Sequence, residues 1–230
     1  MRIVIKIGTS TLAHPTGLLN IRLVEELCKT ISDIKNAGHE VIVVSSGAIG
    51  MGVGKLGLLQ RPQDIPTKQA AAAVGQCELM YTYDKLFGEY NHTVAQLLIT
   101  GEDVENDTVA THEIVIGDND TRAAIVAQSI GAEKLILLSD IDGLYTADPH
   151  THPEAQLISL IEKIDDSVRA LGGASASKQG TGGMVTKLRA AEICTGCGCD
   201  MVIANGRNPS NLYDILSGKA VGTTFKGVTL

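Results

Sequence analysis

Short continuous apolar runs alternate along this chain with longer stretches whose apolar residues recur at helical spacing. The runs are RIVIKI (2–7), EVIVVSS (40–46), VAQLLI (94–99), KLILLSD (134–140) and DMVIAN (200–205). Runs rich in Val and Ile, with no polar alternation, are what strands buried on both faces require, as in parallel sheets. Between the first two, residues 19–38 place Ile21, Val24, Leu27, Ile31 and Ile34 on one helical stripe that ends at Gly38. Residues 67–90 and 120–132 also read as helices. Such β-α-β alternation predicts a mostly parallel sheet covered by helices on both faces. No repeat, low-complexity stretch or linker interrupts it, so residues 1–230 are read as one domain.

Composition narrows the class. A 44% hydrophobic and 20% charged chain is an ordinary globular one, with an aliphatic core because Trp is absent and aromatics make up 3%. No apolar run approaches the ~20 residues that span a bilayer, and the first residues read as a strand and not as a signal peptide. The expectation is a cytoplasmic protein with no membrane partner. A net charge of −7 argues against nonspecific nucleic-acid binding, so any positive potential must be local. Cys194, Cys197 and Cys199 lie close together, but Cys28 and Cys77 are isolated and no His pair has ligand spacing, so the cluster reads as helix-end filler and not as a zinc site. No metal-ligating residue is assigned. His14, His39, His92, His112, His150 and His152 read as surface residues.

Ligands of open α/β sheets sit at the carboxyl ends of the strands. Here those ends carry KIGTS, SSGAIGMG and SDIDGLYTADP, small and polar where a turn alone would suffice. Lys6 interrupts an apolar strand, either to meet an anion or as a solvent-facing edge lysine. GDND (117–120) crowds carboxylates and an amide before a helix, where capping alone needs only one of them. Asp140 and Asp142 flank a turn that could hold a metal or a nucleoside, or be only a turn. END (105–107) is either an acidic-amide site or a solvated turn. GTGGMVTKLRAA (180–191) exposes backbone at a helix start, an anion site or a flexible loop, with Lys187 one turn on. It matches neither the Walker A nor the dinucleotide-binding glycine pattern. Two lysines, Gly-rich loops and carboxylates without a nucleophile suit phosphoryl transfer, which depends on positioning and charge neutralisation.

In this order, KIGTS, SSGAIGMG, KQAAAAVGQ, ENDTVA, GDND, LSDIDGLYTADP and GTGGMVTKLRAA resemble the glutamate 5-kinases of the amino acid kinase superfamily over nearly the whole chain. The resemblance implies a three-layer α/β/α sandwich with a mostly parallel central sheet. It also implies transfer of the ATP γ-phosphoryl group, with Mg2+ accompanying the nucleotide, to the side-chain carboxylate of L-glutamate, the first step of proline biosynthesis. By the same resemblance Lys6 and Lys187 are catalytic and Asp120 organises them, while Ser46, Asp107 and Asn119 bind glutamate. Nucleotide contacts fall on Lys6, Gly8, Ser139, Asp140, Thr181, Gly182, Gly183, Met184, Val185, Thr186 and Lys187. Proline as feedback inhibitor and a homo-oligomer are further implications. A glutamate side chain is already ionised near neutral pH, with a pKa of roughly 4.3, so no general base is needed.

Two departures from the family stand out. Many members carry a C-terminal PUA domain, and this chain stops where the kinase domain ends, which reads as the single-domain form. LLITGEDV also runs directly into ENDTVA, where the family has a helix and a sheet strand between them. That omission is something like 25 residues at ordinary element lengths, and the strand it removes is the one that in the family leads into END (105–107). The expectation is that the physical polypeptide contains the segment and that the 104–105 junction has closed over it. A nucleotide- or amino-acid-binding regulator on the same fold is the reading from another class, and a kinase acting on another carboxylate the one within the enzyme class.

Overall fold

A computed structural model describes residues 1–14, 16, 18–98, 118–173 and 183–228. Strand β1 (Arg2–Ile7) lies between β2 (Glu40–Ser45) and β3 (Lys134–Ser139), and β3 pairs in turn with β5 (Asp200–Asn205), all in parallel. β6 (Thr223–Phe225) runs antiparallel to β5 and carries β4 (Leu160–Ile161) in parallel beyond it, giving the order β2-β1-β3-β5-β6-β4. The mostly parallel sheet of the sequence reading is therefore present. The two short strands were not expected, because runs of two and three residues carry no periodicity to read.

Helices cover both faces. One face buries Ile3, Ile5, Ile7, Ile136 and Leu138 beneath α2 (Ile21–Asn36), α4 (Ile65–Gly88) and α8 (Asn211–Leu216). The other buries Val4, Leu135, Leu137 and Met201 beneath α5 (Asn119–Ser129) and α7 (Met184–Gly196), with α6 (Asp166–Gly173) against α7. Removing each such aliphatic side chain from water contributes about 1.5–3 kcal/mol. Asn20 caps α2 by accepting from the Leu23 N–H, and the buried stripe runs Leu23, Val24, Leu27, Cys28, Ile31, Ile34. Ile21, expected on that stripe, is 62% exposed, since it stands one position past the cap and outside the arc that faces the sheet.

Two helices are tied by glycine contact. α3 (Ala48–Lys55), which begins just after β2, packs against α4 so closely that a Cβ on Gly75 would lie 1.8 Å from the Ala48 carbonyl oxygen. No side chain fits there.

The sheet departs from expectation at one edge. VAQLLI (94–99) was read as a strand, but residues 94–98 form none, and Leu97 and Leu98 are 85% and 75% exposed. Residue 99 and the 104–105 junction lie outside the described residues. Among the described residues β2 is therefore the terminal strand, and its Val41, Ile42, Val43 and Val44 are only half-buried, where β1 and β3 have neighbours on both sides. An apolar run reads as a strand whether or not a partner is present to receive it.

Candidate active site

Because β1, β2, β3 and β5 are parallel, their carboxyl ends share one edge, and Ser46, Gly8, Ser139 and Asn205 all lie on it. Helices α3, α5 and α7 begin along the same edge. Asp118 caps α5, its Oδ1 accepting from the N–H groups of Asp120 and Thr121 at 2.9 and 2.8 Å and its Oδ2 from the Thr121 hydroxyl. Capping thus occupies only one residue of the acidic-amide cluster, and Asn119 and Asp120 are free for other contacts.

Asp120 is 2% exposed and faces two lysines. Lys6 Nζ stands 2.6 Å from Oδ1 and Lys187 Nζ 2.8 Å from Oδ2. The Thr186 hydroxyl donates to the Gly183 carbonyl at 2.8 Å and reaches Oδ2 at 3.4 Å. Burial alone would push the Asp120 carboxyl up. The two ammonium groups outweigh it, Lys187 more than Lys6, and hold the carboxyl below its ordinary range. Two cations on one carboxylate leave a net positive centre in a chain of net charge −7. Lys6 is therefore not a solvent-facing edge lysine. It lies on an inner strand and points to this centre.

α7 starts at Gly183, which has no side chain to cap it, and a helix start of this kind can turn the N–H groups of its first turn toward an anion. Met184 turns its side chain into the core and Val185 turns outward at 60% exposure, so contact with an anion there would come from backbone. Thr181 and Gly182 lie outside the described residues, as does Asp107. The Gly8 N–H is already bonded to the Leu138 carbonyl at 3.2 Å, so Gly8 offers close approach and not a donor.

Ser46 follows β2, its N–H bonded to the Ile7 carbonyl at 3.1 Å, and its Oγ accepts from the Asn119 side-chain amide at 2.6 Å. Gly47 then turns with φ 110°, a conformation natural to glycine, and starts α3 without a side-chain cap. At the end of β3 the Ser139 hydroxyl donates to Asp140 at 3.1 Å. Asp142 accepts from the Asn205 amide at 2.7 Å, tying the ends of β3 and β5 together. Sequence reading missed Asn205, although an amide closing the buried strand DMVIAN was the available signal.

The cysteine cluster ends α7. Cys197 Sγ contacts the Cys194 carbonyl, and the Cys199 N–H bonds to that same carbonyl at 2.9 Å. Among the described residues no group of His, Cys, Asp and Glu could hold a metal ion, and no helix is long and apolar enough to cross a membrane.

Comparison with known proteins gives these contacts a context. The model of the amino acid kinase family matches residues 1–205. The chain is 49% identical to a glutamate 5-kinase of Clostridium acetobutylicum, over 97% of this chain and 94% of that protein. It is 46% identical to a glutamate 5-kinase of Caldanaerobacter subterraneus, over 98% of this chain and 68% of that protein. Among solved structures, the UMP kinase of Bacillus anthracis superposes with a TM-score of 0.66 at 16% identity, covering 99% of this chain and 96% of that one, a likeness of fold. The Caldanaerobacter match is 251 positions long, whereas 98% of 230 residues is about 225, so about 26 of its positions have no counterpart here.

Proposed function

The chain belongs to the amino acid kinase family, among its glutamate 5-kinases, and from that premise we infer that it catalyses ATP-dependent phosphorylation of the L-glutamate side-chain carboxylate, opening proline biosynthesis. The observation that carries the chemistry is the Lys6–Asp120–Lys187 centre. A glutamate carboxylate and the γ-phosphoryl group are both anions, and the two ammonium groups, that of Lys187 buried and that of Lys6 partly so, offset their repulsion. One carboxylate oxygen attacks phosphorus, the bond to the ADP oxygen breaks, and ADP leaves with that electron pair. No proton moves, which is why a base is not needed.

In this reading Lys187 follows the phosphoryl group as charge shifts to the leaving oxygen, and Lys6 holds the phosphates from β1. Asp120 fixes both ammonium groups before substrate arrives, so little reorganisation is left for the reaction itself. Ser46 and Asn119 bind glutamate, with Asp107 as a third contact. Ser139 and Asp140 contact the nucleotide, and residues 181–186 surround its phosphates, assisted by close approach at Gly8. Mg2+ fits as a companion of the nucleotide. Asp120 is engaged by both lysines, so the ion would be carried by the nucleotide phosphates and not by this carboxylate. Bound there, it would supply charge neutralisation to the phosphates.

Cytoplasmic location, homo-oligomeric assembly and inhibition by proline belong to the same reading. So does a chain longer than 230 residues. The half-buried outer edge of β2 and the roughly 26 unmatched positions of the relatives support a helix-and-strand segment between residues 104 and 105, with its strand along β2. A chain purified from its own gene with an intact mass above 24.2 kDa would bear this out, and a mass of 24.2 kDa would refute it.

Turnover with hydroxylamine present tests the activity. Glutamate and ATP should yield glutamyl hydroxamate and ADP, while aspartate in place of glutamate should yield far less hydroxamate. Equal hydroxamate from another carboxylate would reassign the substrate. ATP binding without any turnover would favour the regulator reading.

A further inference from the structure

Tyr83 of α4 is 5% exposed, its ring stacked on Phe87 with centroids 5.9 Å apart. Packing of that kind asks only for a ring. A hydroxyl added to it is costly inside an aliphatic core unless it finds a partner. The partner is Ser45, the last residue of β2, whose Oγ is 2.8 Å from the phenol oxygen. Ser45 Oγ in turn donates to the Ser46 carbonyl at 3.2 Å. With that direction fixed, the phenol is the donor to Ser45, and the hydrogen bonds run Tyr83 to Ser45 to Ser46. Ser46 then presents its own Oγ to the Asn119 amide at 2.6 Å.

We propose that Tyr83 is a positioning residue for glutamate, fixing the Ser45–Ser46 turn so that Ser46 and Asn119 meet the amino-acid substrate in one geometry. The proposal rests on the glutamate 5-kinase reading of this site. Tyr83 touches no substrate. It acts through two hydrogen bonds from the core side of the turn, and neutral hydrogen bonds in series polarise and stiffen one another. Among the described residues the Tyr83 and Ser45 side chains bond only to each other and to the Ser46 carbonyl, and not to β3 or α7, where the nucleotide contacts lie. Glutamate binding should therefore depend on Tyr83 where ATP binding does not.

Tyr83→Phe keeps the ring and removes only the donor. Wild-type turnover of glutamate, measured first, tests the reading of the site by itself. Given that turnover, Tyr83→Phe should raise the glutamate KM by about three- to tenfold, the range expected for one neutral hydrogen bond. The ATP KM and kcat should stay within about twofold. Ser45→Ala should give the same rise, and the double variant no further rise, because both break one relay. If Tyr83→Phe does not fold, Ser45→Ala alone carries the test. An unchanged glutamate KM in Ser45→Ala and Tyr83→Phe would overturn the proposal. So would parallel losses in both KM values and kcat, which would make Tyr83 a packing residue only.

Discussion

Lys6 and Lys187, separated by most of the chain, hold opposite oxygens of one buried carboxylate at 2.6 and 2.8 Å. Asp120 thereby sets the spacing between two cations that would otherwise repel each other. Removing its charge should release both. Asp120→Asn keeps the shape, so kcat for glutamate phosphorylation should fall on the order of 10²-fold, and the fold should lose roughly 3–5 kcal/mol, the usual cost of breaking a buried pair from one side. Steady-state kinetics and denaturant unfolding check the two effects. Wild-type values for both would remove Asp120 from its organising role.

The same carboxyl makes stability depend on pH in a defined window. Its folded-state pKa lies below the ordinary 3.8. The stability it contributes is therefore complete above about pH 4 and is lost as pH falls through the folded value. Wild type should exceed Asp120→Asn by a constant margin from pH 5 to pH 8, and the margin should shrink below pH 4. A margin that shrinks as pH rises from 5 to 8 would contradict the ion-pair account.

Lys187→Ala should lower kcat on the order of 10²-fold or more while ATP binding falls less, because the ammonium meets charge that grows in the transition state. Initial rates at varied ATP separate the two. A raised ATP KM with kcat intact would make Lys187 a ground-state contact.

Much of this centre was legible in the sequence. A lysine inside an apolar strand, an acidic-amide cluster before a helix and a lysine one turn past a bare-backbone loop each break a local pattern in a way that packing does not ask for. What stayed hidden depends on tertiary contact. Ser45 ends an apolar run like any small residue, and Tyr83 looks like one more ring on a helical stripe, until folding brings 45 and 83 to 2.8 Å. The strand expected at 94–99 failed for the complementary reason. Its residues carry strand propensity, but pairing belongs to the neighbour and not to the run itself.

Asn119→Ala should raise the glutamate KM by about tenfold or more and the ATP KM far less, since it removes one amide and leaves the Ser46 hydroxyl without its donor. Substrate-saturation curves for each ligand decide it. An unaltered glutamate KM would take Asn119 out of the substrate site.

Gly75→Ala should destabilise the protein by about 1–3 kcal/mol, the usual cost of overpacking. The new methyl group would collide with the Ala48 carbonyl at the start of α3. Because α3 begins directly after Ser46 and Gly47, the glutamate KM should rise as well. Thermal unfolding equal to wild type would show that α3 and α4 can separate freely.

The central claim is that the glutamate side-chain carboxylate itself attacks the γ-phosphorus at the Lys6–Asp120–Lys187 centre. Glutamate labelled with 18O in that carboxylate tests it most directly. With ATP, labelled glutamate and hydroxylamine, attack of hydroxylamine at the carbonyl carbon should release phosphate carrying one 18O atom for each hydroxamate formed. Unlabelled phosphate accompanying ADP would mean that water attacks the nucleotide, and would contradict the account.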